Sequence, residues 1–400
     1  LLNCSSLFSQ QNTTLSVQVD KRVELMSIIA RLAGYQEYNH SFFKKYTEDV
    51  DAYFKPYKDH ELIIFMKKIR QTNRIAYDAV MSMAVHITLN PSPEAIISFS
   101  DQLPDKRWGK EVSEEFIVLL KKFYTDTKSD IFFKQQENLY KICEEKLQTI
   151  LSGIDINWFN RFYGVKVKSE FRIIPGLLNG PGNYGPKLVT RKGEILYSIV
   201  ATWKIDSSGM PDYRSLADEI IPTIIHEFNH SFVNHLVYKY ESAFSKSMDS
   251  VFNYVNTRMS NIGYGKPVLM VLESLVRVAV TRYLMEHNED PHKYQMDIIQ
   301  NRNEGFFWFQ ELFGLMGTYI HNRKSYLNFE SFMPIIVSFY KDIATRIKWI
   351  STDFHEKSPK VIRIEGLENG SKEVSPQLTA IKLFFSKPLQ VNKGISFNYG

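Results

Sequence analysis

The sequence predicts an α+β fold, mainly α, with one small mixed or antiparallel sheet and a separate β-rich tail. Three observations lead there. Apolar residues recur at helical spacing through 18–162 and 214–350, alternating and β-branched runs gather in 163–205, and after Lys357 short apolar runs are punctuated by turn residues. At 400 residues, 44% hydrophobic and 14% aromatic, the chain can bury a large core, so one main domain over 18–357 and an appendage over 358–400 are expected.

In chain order, residues 1–17 are rich in Ser, Gln, Asn and Thr and are expected to form a loose tether. Val23, Met26, Ala30 and Ala33 mark one helical stripe, and Leu62, Phe65, Met66 and Ile69 another, so 18–162 reads as a helical layer. His86 lies in an apolar run and is expected to be a satisfied core or groove histidine. Val165 to Ile174 alternates and Glu194 to Trp203 is β-branched and aromatic, so both read as strands. Between them, the glycines and prolines of Pro175 to Pro186 predict a shaped loop. His292 to Asn301, Gly305 to His321 and Phe329 to Ile350 read as helices, with Phe306, Phe307, Trp308, Phe309 and Phe313 as a core stripe. In the tail, Val361 to Ile364, Ile381 to Phe385 and Ile395 to Asn398 read as short strands.

The chemistry concentrates at His226-Glu227-Phe228-Asn229-His230, inside the apolar run Ile220 to Val237. At 3.6 residues per turn the two histidines share one helical face, so both imidazoles can reach one ion, and Glu227 stands beside that face. Neutral imidazoles bind Zn²⁺ while leaving a coordination position open, and a neighbouring carboxylate can serve as general base. Two histidines and a glutamate in a buried stripe are costly unless paired or ligated. Pro222 suits a position near the start of the helix.

The third ligand sets the subclass. An HExxHxxGxxH pattern is absent, because Val233 and Leu236 stand where its glycine and histidine would be. His235, five residues past His230, turns off the ligand face and reads as a helix-surface residue. Glu273, a lone carboxylate in the apolar stretch Pro267 to Val280, is the best candidate, with Glu241, Glu286 and Glu304 as rivals. The 43 residues after His230 allow the first helix to end and, past a loop, a second to return. Arg277, at i+4, is expected to pair with Glu273 and steady it. Tyr283 and Tyr264 are candidates for polarising an oxyanion.

The set His226, Glu227, His230 and Glu273 resembles the gluzincin class of zinc metallopeptidases, in which two helices supply His, His and Glu. The longer string HEFNHSFVN, followed by ESLVR, is similar to an uncharacterised family of exported proteins from Gram-negative gut bacteria, over about Val19 to Trp349. These resemblances imply a zincin-like domain, a Zn²⁺ cofactor, and hydrolysis of a peptide or protein substrate. In zincins a sheet-edge strand above the metal pairs with extended substrate, which places Asn183, Tyr184 and Gly185 on the cleft rim. The alternative is a catalytically silent binding or scaffold protein that retains the cleft. Val374-Ser375-Pro376, with Ile381 to Pro388, resembles the opening strands of bacterial immunoglobulin-like domains, implying a partial β-sandwich that acts as a spacer.

Charge and cysteine content narrow the rest. A net charge of +5 with spread basic residues argues against nucleic acid. No apolar run is long enough to span a membrane. Cys4 and Cys143 form no paired framework. Leu1-Leu2-Asn3-Cys4 resembles a lipoprotein's lipobox, although Asn3 stands where a small residue is usual, so export is expected, as a periplasmic protein, a cell-surface lipoprotein or a secreted protein. A monomer is expected.

Overall fold

The computed structural model describes residues 14–165, 169–288, 290–368 and 370–389. They form a mainly helical α+β structure. Strand β1 (Leu15–Val17) is followed by helices α1 (Lys21–Leu32), α2 (Gln36–Asn39), α3 (Lys44–Phe54), α4 (Glu61–Asn73) and α5 (Asp78–His86). A small antiparallel pair, β2 (Ile87–Thr88) and β3 (Glu94–Ala95), precedes α6 (Gly109–Asp126), α7 (Ser129–Gln135), α8 (Glu137–Gln148) and α9 (Asn157–Tyr163). Then come β4 (Ser169–Gly176), β5 (Lys187–Thr190) and β6 (Gly193–Ala201). The helices α10 (Ala217–Lys239), α11 (Glu241–Asn261), α12 (Pro267–His287), α13 (Pro291–Glu304), α14 (Phe309–His321) and α15 (Phe329–Lys357) complete the body.

The main sheet has strand order β1-β4-β6-β5. It is mixed: β1, β4 and β6 run parallel, with Phe171 opposite both Leu15 and Leu196, while β5 is an antiparallel edge with Leu188 opposite Ile195. Three differences from the sequence reading have plain causes. Leu15–Val17 is a strand rather than tether, because its apolar residues pair with β4, and three residues are too short a run to signal by themselves. The strand expected from Val165 begins at Ser169 and extends to Gly176, with 166–168 outside the described residues. Directly after the shaped loop, Lys187–Thr190 is a strand that the sequence reading did not assign, since its hydrogen bonds come from folding back on β6.

The sheet sits where two apolar cores meet. One, built from α1 to α8, contains Met26, Met66, Trp108, Phe116 and Phe132; the other, built around α9 to α15, contains Phe159, Phe228, Leu275, Tyr319 and Ile336. Phe171 of β4 packs edge-on against Phe228 of α10 at 4.9 Å, and so fixes that helix beneath the sheet. A buried carboxyl ties α1 to the end of the central strand: Glu24 of α1 accepts a hydrogen bond from the Leu177 N–H at 3.0 Å, just past β4. Its other oxygen has no hydrogen-bond partner among the described residues.

Helix α11 occupies much of the interval where the sequence reading expected a loop. Its buried Phe244, Met248, Val251, Val255 and Met259 follow a 3–4 spacing that a mostly polar composition obscures. Pro222 is the sixth residue of α10, not a first-turn residue, because the helix starts at Ala217 after a short turn at Arg214–Leu216. Pro267 does take the helix-start role, at the head of α12. His86 is buried and its Nδ1 lies 2.7 Å from the Ser82 carbonyl, as a satisfied core histidine should. Phe306, Phe307, Trp308 and Phe309 are buried.

In the tail, Val361–Glu365 and Lys382–Phe385 pair antiparallel as a two-stranded ladder, β7 and β8. The strand expected at Ile395 to Asn398, and Cys4, lie outside the described residues. Cys143 is buried and unpaired. Among the described residues, no helix is long and apolar enough to cross a membrane.

Candidate metal centre

Helix α10 carries His226 and His230 one turn apart, and α12 packs beside it to bring up Glu273. The donor atoms converge. His226 Nε2 and His230 Nε2 are 3.1 Å apart, His226 Nε2 lies 3.5 Å from Glu273 Oε2, and His230 Nε2 lies 3.7 Å from Glu273 Oε1. Donors placed tetrahedrally around Zn²⁺, with bonds of about 2.0–2.1 Å, stand about 3.3–3.4 Å apart. One donor atom from each of His226, His230 and Glu273 lies within 4.8 Å of the others, so the group could hold a metal ion. Glu273 is only 7% exposed, and its Oε2 has no hydrogen-bond partner among the described residues, so it is a buried acceptor suited to a cation.

The electrostatics agree. Burial, together with His230 and Arg277, pushes the pKa of His226 well below the ordinary imidazole range, which leaves a neutral ring with a free lone pair. Burial acts the same way on His230, but Glu273, Glu227 and Asn234 outweigh it and its pKa is raised. The pocket thus favours positive charge between these groups. Asn234 Oδ1 lies 3.1 Å from His230 Nδ1, so an Nδ1–H donor leaves Nε2 free to ligate. Asn234 was not singled out from the sequence, although its i+4 relation to His230 was available as a signal.

Glu227 is 7% exposed, and burial raises its carboxyl pKa to about 7, with Glu273 adding to the rise and His230 opposing it. A carboxyl group poised near neutrality can exchange a proton in either direction. Asn229, inside the motif, is structural: its Oδ1 accepts from the Tyr163 hydroxyl at 2.6 Å and its Nδ2 donates to the Ile225 carbonyl at 2.9 Å.

Arg277 does not pair with Glu273. Its guanidinium reaches across to α13, where it donates to Asn301 Oδ1 at 2.9 Å and forms an ion pair with Glu304. It also donates to the Tyr264 hydroxyl at 3.2 Å. Burial raises the pKa of Tyr264, and the charge of Glu273 adds to the effect, so Tyr264 stays protonated. The rival Glu304 is engaged by Arg277, and Glu286 accepts from Trp158 Nε1 at 2.9 Å; Glu241 heads α11.

The two candidate tyrosines part company. Tyr264 lines a cavity of about 300 Å³ together with Asn183, His226, Glu227, Arg277 and Asp297. Tyr283, ten residues beyond Glu273, is about 15 Å further along the helix axis. Its hydroxyl accepts the Asp155 N–H at 2.9 Å and its ring stacks on His287, so it serves packing. Sequence reasoning also missed the opposite wall of the cavity, Asp297, Gln300 and Asn301 of α13.

The rim splits by register. Tyr184 bridges Ile199 and Lys187 pairs with Leu196 in one continuous register, so the edge strand effectively begins at 184. The Tyr184 N–H and C=O bond to Ile199, and the Pro186 carbonyl accepts from Tyr197. By the alternation of an antiparallel ladder, the backbone groups of Asn183, Gly185 and Lys187 point to the outer edge. Tyr184 is turned inward, with a buried side chain, and is not a rim residue. Gly185 lies directly on α10: a Cβ there would fall far inside van der Waals contact with the Glu227 carbonyl oxygen.

Residues 15–339 match the model of a family described as a domain of unknown function, DUF4932. No curated protein and no solved structure matches the chain.

Proposed function

The chain belongs to the DUF4932 family, and from its site we propose that it is a zinc-dependent peptidase with a zincin-like catalytic domain of the gluzincin type. The observation that carries this reading is the convergence of His226, His230 and Glu273 on one zinc-sized position, with the buried Glu227 beside it. His226, His230 and Glu273 would hold the ion, which supplies Lewis acidity toward a carbonyl oxygen and toward water. Glu227 takes a proton from the attacking water and delivers it to the departing amine nitrogen, a role that its pKa of about 7 supports. Tyr264, kept protonated, donates a hydrogen bond to the oxygen on which negative charge develops. The outward backbone groups of Asn183, Gly185 and Lys187 add an extended peptide to the sheet edge, across the face of Glu227. We read β7 and β8 as immunoglobulin-like strands that serve as a spacer.

Metal analysis with one variant tests this. The purified protein should hold about one zinc per chain, and Glu227→Gln should keep the metal while hydrolysis of a peptide library falls by about three orders of magnitude or more. A zinc-loaded wild type that binds peptides and leaves them intact would instead be the scaffold protein. A folded wild type that takes up no zinc would overturn the metal reading altogether.

A further inference from the structure

The cavity of about 300 Å³ beside His226 extends along α10 to Thr223, and its far wall is Asp297 and Gln300 of α13. Three side chains of this lining have one group engaged and an acceptor left over. The Thr223 hydroxyl donates to the Glu219 carbonyl at 2.8 Å, which leaves its oxygen lone pairs. Gln300 Nε2 donates to Glu304 Oε1 at 3.1 Å, which leaves Oε1. Asp297 Oδ2 accepts from the Thr281 hydroxyl and from Asn301 Nδ2, the latter at 3.2 Å, which leaves Oδ1. Asp297 also lacks an ion pair among the described residues, because Arg277, whose charge it feels, pairs with Glu304. Burial raises its carboxyl pKa to about 6, so at neutral pH it holds a negative charge in a place short of positive ones.

We propose that this end of the cavity binds the side-chain ammonium of a lysine next to the cleaved bond of a peptide substrate, with Asp297 as its counter-ion; the proposal rests on the peptidase reading. The three free acceptors match the three N–H groups of an ammonium. Arginine fits less well, since its planar fork is best met by both oxygens of one carboxylate and Asp297 has only Oδ1 to give. Arg277, the arginine of the lining, is committed to Glu304, Asn301 and the Tyr264 hydroxyl, so it does not reserve the cavity for an anion. Distance separates a side chain from a chain terminus. Thr281, which holds Asp297, is eight residues past Glu273, about 12 Å along α12. The α-amine of the residue whose carbonyl is attacked is two bonds from that carbonyl carbon, about 2.5 Å, and stays beside His226 and Glu227. The four-carbon stem of lysine carries its charge away from them, and Val280 and Pro222 offer that stem apolar contact.

Binding and cleavage test this together. Zinc-loaded Glu227→Gln protein is titrated calorimetrically with ten-residue peptides that carry lysine, Nε-acetyl-lysine, alanine or glutamate at one scanned position, each with a free and with an acetylated N-terminus. At one position lysine should bind at least about tenfold tighter than acetyl-lysine, with glutamate weakest, and N-terminal acetylation should change nothing. Asp297→Asn, which is isosteric, should keep its zinc and erase the preference, and Gln300→Lys, at an exposed position of α13, should weaken it. Melting curves report whether each variant folds, and Gln300→Lys decides if Asp297→Asn does not fold. Equal affinity for lysine and acetyl-lysine, or a preference that the folded variants leave intact, overturns the subsite. Affinity lost on N-terminal acetylation, with no dependence on lysine, overturns it in favour of a terminal amine. Wild-type protein that cuts peptides without regard to lysine would sink the subsite alone, whereas a protein that neither binds nor cuts peptides would sink the peptidase reading and the subsite with it.

Discussion

Replacing Glu24 by glutamine should make the protein more stable at neutral pH and hardly change it in mild acid. Glu24 is fully buried beneath the cleft-rim loop, and burial raises its pKa from 4.5 to about 8, against opposition from the Leu177 N–H and Tyr46. Between those two values the folded chain holds a proton that the unfolded chain has released, so stability falls as pH rises. At about 1.4 kcal/mol per pH unit, this group contributes fully below pH 4.5, has lost about 3–4 kcal/mol by pH 7, and loses little more above pH 8. Glutamine keeps an acceptor for Leu177 and cannot ionise. Urea midpoints followed by tryptophan fluorescence at pH 5, 6, 7 and 8 should therefore diverge, with Glu24→Gln ahead by an increasing margin. Parallel pH curves for the two proteins would refute the reasoning, since they would show that Glu24 titrates alike in the folded and unfolded chains.

Three further outcomes are expected. Glu273→Ala should weaken zinc binding by at least two orders of magnitude and Asn234→Ala by about tenfold, because one supplies a ligand and the other orients one; competition with a chelator measures both. Gly185→Ala should lower the melting temperature and the rate of hydrolysis together, because its methyl group would collide with the Glu227 carbonyl; an unchanged protein would show that this contact is not held. Tyr264→Phe should retain zinc yet lose hydrolysis by about two orders of magnitude or more, while Tyr283→Phe should lose only about 1 kcal/mol of stability through the freed Asp155 N–H; equal effects on catalysis would undo the distinction between them.

Local pattern made most of the helices legible, because apolar spacing is written into α1, α4 and α15 and continuous apolar runs mark α10 and α12. It failed where a signal was short or diluted. Leu15–Val17 and Lys187–Thr190 are strands only because a neighbour completes their hydrogen bonds, and α11 hides its apolar stripe among serines and asparagines. The same division runs through the site. The i, i+4 relation of His226 and His230 is a property of one helix, so five consecutive residues sufficed to nominate the pair and its neighbouring carboxylate. A lone carboxylate amid apolar neighbours was enough to nominate Glu273, since such a group needs a partner wherever it is buried.

The partners themselves were beyond sequence. Arg277 stands at i+4 from Glu273, yet its long side chain turns to Asn301 and Glu304, because α13 offers it two acceptors that no spacing rule along α12 contains. Tyr264 and Tyr283 were equivalent candidates until packing put one in the cavity and the other against Asp155. The sequence by itself determined which residues can share a helical face and which buried charges require compensation, because both follow from local geometry and the cost of desolvation. Only the tertiary structure decided which groups compensate them, since donor and acceptor are brought within reach by the docking of separate elements, and that depends on the whole packed core.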